Sequence, residues 1–209
     1  MDLTTVGAIG YEAAASPFAL FVFAHGAGAG QGHPFIKAVA NGLAHRGIDV
    51  VTFDFPFMRE RRKVPDRAPV LEKAFAEAIA GARAWSKATR LFIGGKSMGG
   101  RMATHLGAAG LDDLSGIVVF GYPLHPPGKP NQLRVEHLPS IKAPVLIVQG
   151  ERDTFGTPRE LKPAIDSMKS QVELHVVPKG DHSLAVSGRA RDDVLGEVLD
   201  GAVAWMHEQ

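Results

Sequence analysis

Short apolar runs rich in β-branched and aromatic residues recur along the chain: Phe18 to Ala24, Ile48 to Phe53, Leu91 to Ile93, Gly116 to Phe120, Val145 to Val148 and Val172 to Val177. Most are apolar without alternation. Continuous apolarity over so short a run marks a strand buried on both faces, as in a parallel sheet covered by helices. Between the runs lie Pro34 to Arg46, Val70 to Lys87, Gly99 to Ala109, Pro158 to Ser167 and Arg191 to His207. Their apolar positions fall three or four apart, the period of a helix with one buried face. Alternating strands and helices predict an α/β fold: a three-layer sandwich with a mostly parallel sheet and helices on both faces. Leu3 to Tyr11 is expected to add an antiparallel edge strand.

A chain of 209 residues sustains one hydrophobic core, so a single domain over residues 1–209 is expected. Hydrophobic residues at 45% and charged residues at 22% place the chain among packed globular proteins rather than disordered ones. Formal net charge is +1, which leaves no global field to draw the chain onto nucleic acid or an anionic membrane. Cysteine is absent, which removes disulfides, thiolate metal sites and a cysteine nucleophile together. The Phe18 to Ala24 run is too short to span a bilayer, and no Lys or Arg precedes it to form a signal-peptide n-region. A soluble, cytoplasmic protein with neither membrane nor nucleic-acid partner is expected.

Gly95-Lys-Ser-Met-Gly99 matches G-x-S-x-G where a predicted strand meets a predicted helix. That context suits a nucleophile elbow, in which a strained turn exposes the serine and flanking glycines let strand and helix approach. The same stretch ends like a phosphate-binding P-loop, but the first glycine of that motif falls on Arg90. Upstream, His25-Gly-Ala-Gly-Ala-Gly30 follows a buried strand. Acyl transfer needs two N–H groups aimed at an oxyanion. Met98, after the serine, would supply one, and Ala27, with Gly26 second, the other. A dinucleotide-binding G-x-G-x-x-G fails in every register here, its third glycine falling on Gln31, His33 or Phe35.

Asp153 lies just past the strand ending near Val148, and His182 lies in the loop after the next strand. Strand ends in a parallel sheet share one edge, so Ser97, Asp153 and His182 can converge there. His182 is the candidate general base and Asp153 the acid that orients it, with Glu151 and Asp181 as competing acids. No H-E-x-x-H or carboxylate cluster points to a metal, so neither metal nor cofactor is expected.

With these motifs the chain resembles the dienelactone-hydrolase-like group of small α/β-hydrolases. The motifs that carry the resemblance are His25 to Gly30, Gly94-Gly-Lys-Ser-Met-Gly-Gly-Arg101 and Gly180-Asp-His-Ser183. The order Ser97, Asp153, His182 is also the α/β-hydrolase order. Dienelactone hydrolase itself uses a cysteine nucleophile, so its reaction does not carry over. The subfamily also resembles a hydrolase-like region of a eukaryotic chromatin-complex subunit, which sets a catalytically silent binding or scaffold protein against the enzyme reading. Filled triad positions favour the enzyme, since a scaffold does not need them.

The segment from Tyr122 to Pro144 is too short for a helical cap, so an open cleft suited to a small ester, thioester or lactone is expected. Arg59, Arg61, Arg62, Lys63 and Arg67 follow a strand and are opposed only by Glu60 and Asp66. Arg61 and Arg62 could bind an anionic substrate group, or the loop could be a solvated surface. His25, Lys96 and Arg101 are further candidates for substrate contact. Their bland alternatives are a solvent-pointing Lys96 and an Arg101 paired on the helix surface. Oligomeric state is left open.

Overall fold

The apolar runs become strands of one sheet, and the segments of helical period become the layers that cover it. In the computed structural model, which describes residues 9–209, the elements run β1 (Ile9–Glu12), β2 (Ala19–Ala24), α1 (Pro34–Ala44), β3 (Ile48–Phe53), α2 (Pro56–Arg59), α3 (Ala68–Trp85) and β4 (Arg90–Lys96). They continue with α4 (Met98–Ala108), β5 (Leu114–Phe120), β6 (Val145–Gly150), α5 (Pro158–Asp166), β7 (Val172–Val177) and α6 (Arg191–Glu208). The sheet order is β1-β3-β2-β4-β5-β6-β7, with β1 antiparallel to β3 and the other pairs parallel. The expected edge strand is therefore present at Ile9–Glu12, while Leu3 to Ala8 lie outside the described residues.

Residues along each central strand alternate between two cores. Ala19, Phe21 and Phe23 of β2 enter one, with Ile36, Val39 and Leu43 of α1 and Val194, Val198 and Trp205 of α6. Leu20, Val22 and Ala24 enter the other, with Leu71 and Phe75 of α3, Met102 of α4 and Leu161 of α5. Every residue of β2, β3 and β6 is buried, which explains why these runs are mostly apolar, with Asp49, Thr52 and Gln149 as the buried polar exceptions. Full burial of one such Leu or Phe contributes roughly 1.5–3 kcal/mol, so these strands hold the layers together. Strand β7 has a neighbour on one side only and leaves Glu173 and Val176 exposed.

Local chemistry sets the helix starts. Pro34, Pro69 and Pro158 occupy first-turn positions, where a missing N–H costs nothing. Thr157 and Glu160 close a reciprocal capping box at the start of α5. The short α2 turn opens the basic loop, a helical turn not anticipated in that stretch. Between β5 and β6 the chain forms only a 3₁₀ turn, Leu138–Ser140, with Leu138 tucked into the core. Among the described residues no cap domain stands over the sheet edge. Among the described residues no helix is long and apolar enough to cross a membrane.

Candidate active site

Ser97 sits between β4 and α4 with φ 52° and ψ −113°, a backbone conformation that costs a non-glycine residue roughly 1–3 kcal/mol. Two glycines make the turn possible. A β-carbon at Gly95 would lie 2.4 Å from the Gly99 carbonyl carbon, and one at Gly99 would lie 2.4 Å from the Ala24 oxygen. Helix and strands therefore meet backbone to backbone, and the strain is held by packing on every side.

The ends of β4, β6 and β7 bring three side chains into one line. The Ser97 hydroxyl and His182 Nε2 are 2.9 Å apart, and His182 Nδ1 is 2.7 Å from Asp153 Oδ2. A carboxylate accepts only, so Nδ1 carries the proton and Nε2 is left to accept from the serine. Asp153 is 1% exposed. Its burial is compensated by N–H donors: Phe155 N–H to Oδ1 at 2.8 Å and Gln149 Nε2 to Oδ2 at 2.9 Å. Gln149 was not singled out from sequence. It also donates to Gly156 O at 2.7 Å and accepts from Tyr122 N–H at 2.7 Å, tying the acid's loop to the end of β5. Its signal was available, for it is the polar residue closing an otherwise apolar buried run. The Phe155 ring stacks on His182 at a centroid distance of 4.1 Å and limits its rotation.

The competing acids are engaged elsewhere. Glu151 Oε2 accepts from Lys179 N–H, and Asp181 Oδ1 caps its own turn through Ser183 and Ala185 N–H groups. The loop after β2 closes the site from the other side, since a β-carbon at Gly26 would lie 3.8 Å from Ser97 Cβ. Met98 opens α4, so its N–H belongs to the first turn, where helix donors have no intrahelical partner. Ala27 is exposed and lines a cavity of about 390 Å³ with Gly28, Met58, Arg61, Arg62 and Lys63. A cavity of about 540 Å³ opens at the opposite sheet edge, among Glu12, Asn41 and His45, away from this chemistry.

Residues 17–207 match the family model described as alpha/beta hydrolase domain. The chain belongs to the alpha/beta hydrolase family. Solved structures agree in fold. Dienelactone hydrolase from Anabaena variabilis superposes with a TM-score of 0.70 at 21% identity, covering 96% of this chain and 90% of that one. Est1E from Butyrivibrio proteoclasticus, with ferulic acid bound, gives 0.75 at 15% identity over 97% and 96%. A serine hydrolase without lid from Xanthomonas campestris gives 0.75 at 17% identity over 94% and 88%.

In this hydrolase the remaining predicted contacts divide. His25 is fully buried. Its Nδ1 bonds to Gly26 O at 2.7 Å and its Nε2 accepts from Phe55 N–H at 3.0 Å, so it ties the loop after β2 to the chain after β3. Burial holds it below the ordinary histidine range, in keeping with a neutral ring. Lys96 does not simply point into solvent: its Nζ donates to the His182 backbone carbonyl. Arg101 forms no surface ion pair among the described residues. It is half-buried near Arg134, Tyr122 and Glu72, with Nε buried and lacking a hydrogen-bond partner. Arg62 is paired with Glu60 and Asp66, both at 2.7 Å, whereas Arg61 and Lys63 form no ion pair among the described residues. Among the described residues no three His, Asp or Glu side chains gather as a metal site.

Proposed function

We propose that the protein hydrolyses a small carboxylic ester, thioester or lactone through an acyl-enzyme intermediate. The observation that carries this reading is the unbroken hydrogen-bonded line from Asp153 through His182 to Ser97. Ser97 Oγ attacks the carbonyl carbon while His182 Nε2 takes its proton. The resulting imidazolium is stabilised by Asp153 and returns that proton to the departing oxygen or sulfur. Water then enters, gives a proton to His182 and attacks the acyl carbon, releasing the acid and regenerating Ser97. Met98 and Ala27 N–H groups stabilise the oxyanion in both halves. A panel of short-chain esters, thioesters and lactones, run beside a fluorophosphonate probe, tests the reading. Turnover of a panel member and one covalent adduct on Ser97 are expected; no adduct and no turnover would overturn it.

The cavity beside Ala27 suits an ester carrying an anionic group. Arg61 and Lys63 line it without acidic partners among the described residues, and the Arg62 pairs with Glu60 and Asp66 shape the loop that presents them. Replacing Arg61 and Lys63 together with Ala should raise KM for an anionic ester by roughly 3- to 10-fold, because two exposed charges act in water. The kcat for that ester and the KM for a neutral one should stay the same, the signature of lost uniform binding. Salt should imitate the substitution, since screening acts over about 8 Å at physiological ionic strength. Equal changes for neutral and anionic esters would remove the loop from substrate binding.

A further inference from the structure

Lys96 immediately precedes the nucleophile, yet its ammonium serves the histidine loop. The stem runs beside the oxyanion loop, where a β-carbon at Gly26 would lie 3.9 Å from Lys96 Cγ. Nζ passes over Gly121, where a β-carbon would come within 2.7 Å, so the bare glycine leaves the ammonium its space. It donates to the His182 backbone oxygen at 2.5 Å, the donor that reaches this carbonyl among the described residues. We propose that Lys96 is a positioning residue whose ammonium clamps the His182 carbonyl and so holds the imidazole between Asp153 and Ser97. This inference rests on the serine-hydrolase reading above.

The charged groups facing the ammonium are Asp153, in the loop after β6, and Asp181, in the histidine loop itself. The imidazole of His182 shares that loop, and the end of β5 contributes uncharged Gly121. Burial pushes the lysine down to about 8, against the raising influence of the two aspartates. A lysine so depressed is cationic below that value and neutral above it. The charge-assisted bond is therefore complete below about pH 8 and weakens as pH rises through it.

Lys96→Met keeps the stem and removes the clamp. Because an angstrom of misplacement at a reacting group costs on the order of 100-fold, kcat should fall roughly 10- to 100-fold with KM within about twofold of wild type. Wild-type kcat should therefore decline above about pH 8, and Lys96→Arg, which keeps a cation that does not titrate in this range, should recover much of kcat and abolish that decline. Far-ultraviolet circular dichroism checks that both variants fold. The His182 Nδ1 proton, bonded to Asp153, should give a resolved resonance in wild type and broaden by exchange in Lys96→Met. Wild-type kcat, an unchanged alkaline decline and an unchanged resonance in Lys96→Met would overturn the clamp. Fluorophosphonate labelling of wild type judges the serine-hydrolase reading separately, because the resonance reports imidazole position whether or not Ser97 reacts.

Discussion

Ser97→Ala is expected to fold as wild type and to lose about four to six orders of magnitude in kcat, together with all fluorophosphonate labelling. Stability should change little. Alanine keeps the β-carbon, so the backbone strain at φ 52° is the same in both proteins, and among the described residues the hydroxyl makes one side-chain hydrogen bond, to His182. The oxyanion donors and the imidazole remain, but no atom is left to form the acyl bond. What survives should be the slow attack of water on a bound ester. Intact-mass analysis after probe treatment and a burst-phase assay read the two effects independently. A variant that still carries the adduct would move the nucleophile to another side chain.

Asp153→Asn should lower kcat by about four orders of magnitude, near 5 kcal/mol of transition-state stabilisation. The reason lies in donor and acceptor count. The carboxylate accepts from His182 Nδ1, Gln149 Nε2 and Phe155 N–H. An amide can accept through one atom only, so its NH₂ must face another donor. If the NH₂ faces the ring, Nδ1 becomes the acceptor and the proton moves to Nε2, which then cannot take the serine proton. If it faces Phe155, a buried N–H loses its partner and the loop shifts. Glu151→Gln should leave kcat within about twofold, since Glu151 is exposed and bonded to Lys179 N–H. Pre-steady-state acylation rates compare the two variants directly, and the reverse ranking would transfer the role to Glu151.

The α/β architecture was legible because its signals are local. Strand β3 has the bounds read from its apolar run, Ile48 to Phe53, and α5 begins at Pro158 as its capping residues require. The elbow was legible for the same reason: Gly95 and Gly99 are demanded by contacts within the strand-turn-helix unit and its neighbour β2. The α2 turn was missed because four residues inside a basic stretch carry too little periodicity to register.

Side-chain roles separate along the same line. Composition and periodicity determined a helix-covered, mostly parallel sheet, and motif order determined which residues reach its carboxyl edge. Tertiary structure alone decided where those residues point. His25 turns inward because Phe55 N–H, thirty positions on, needs an acceptor in a buried setting. Arg61, Arg62 and Lys63 all line the cavity, but Arg62 is paired with Glu60 and Asp66 whereas Arg61 and Lys63 form no ion pair among the described residues. Gln149 and Lys96 bond to the loops that carry Asp153 and His182, contacts that exist only once β4, β5, β6 and β7 lie side by side. Backbone period is written in neighbours a few residues apart, whereas a hydrogen-bond partner is chosen by whichever distant group burial leaves unsatisfied.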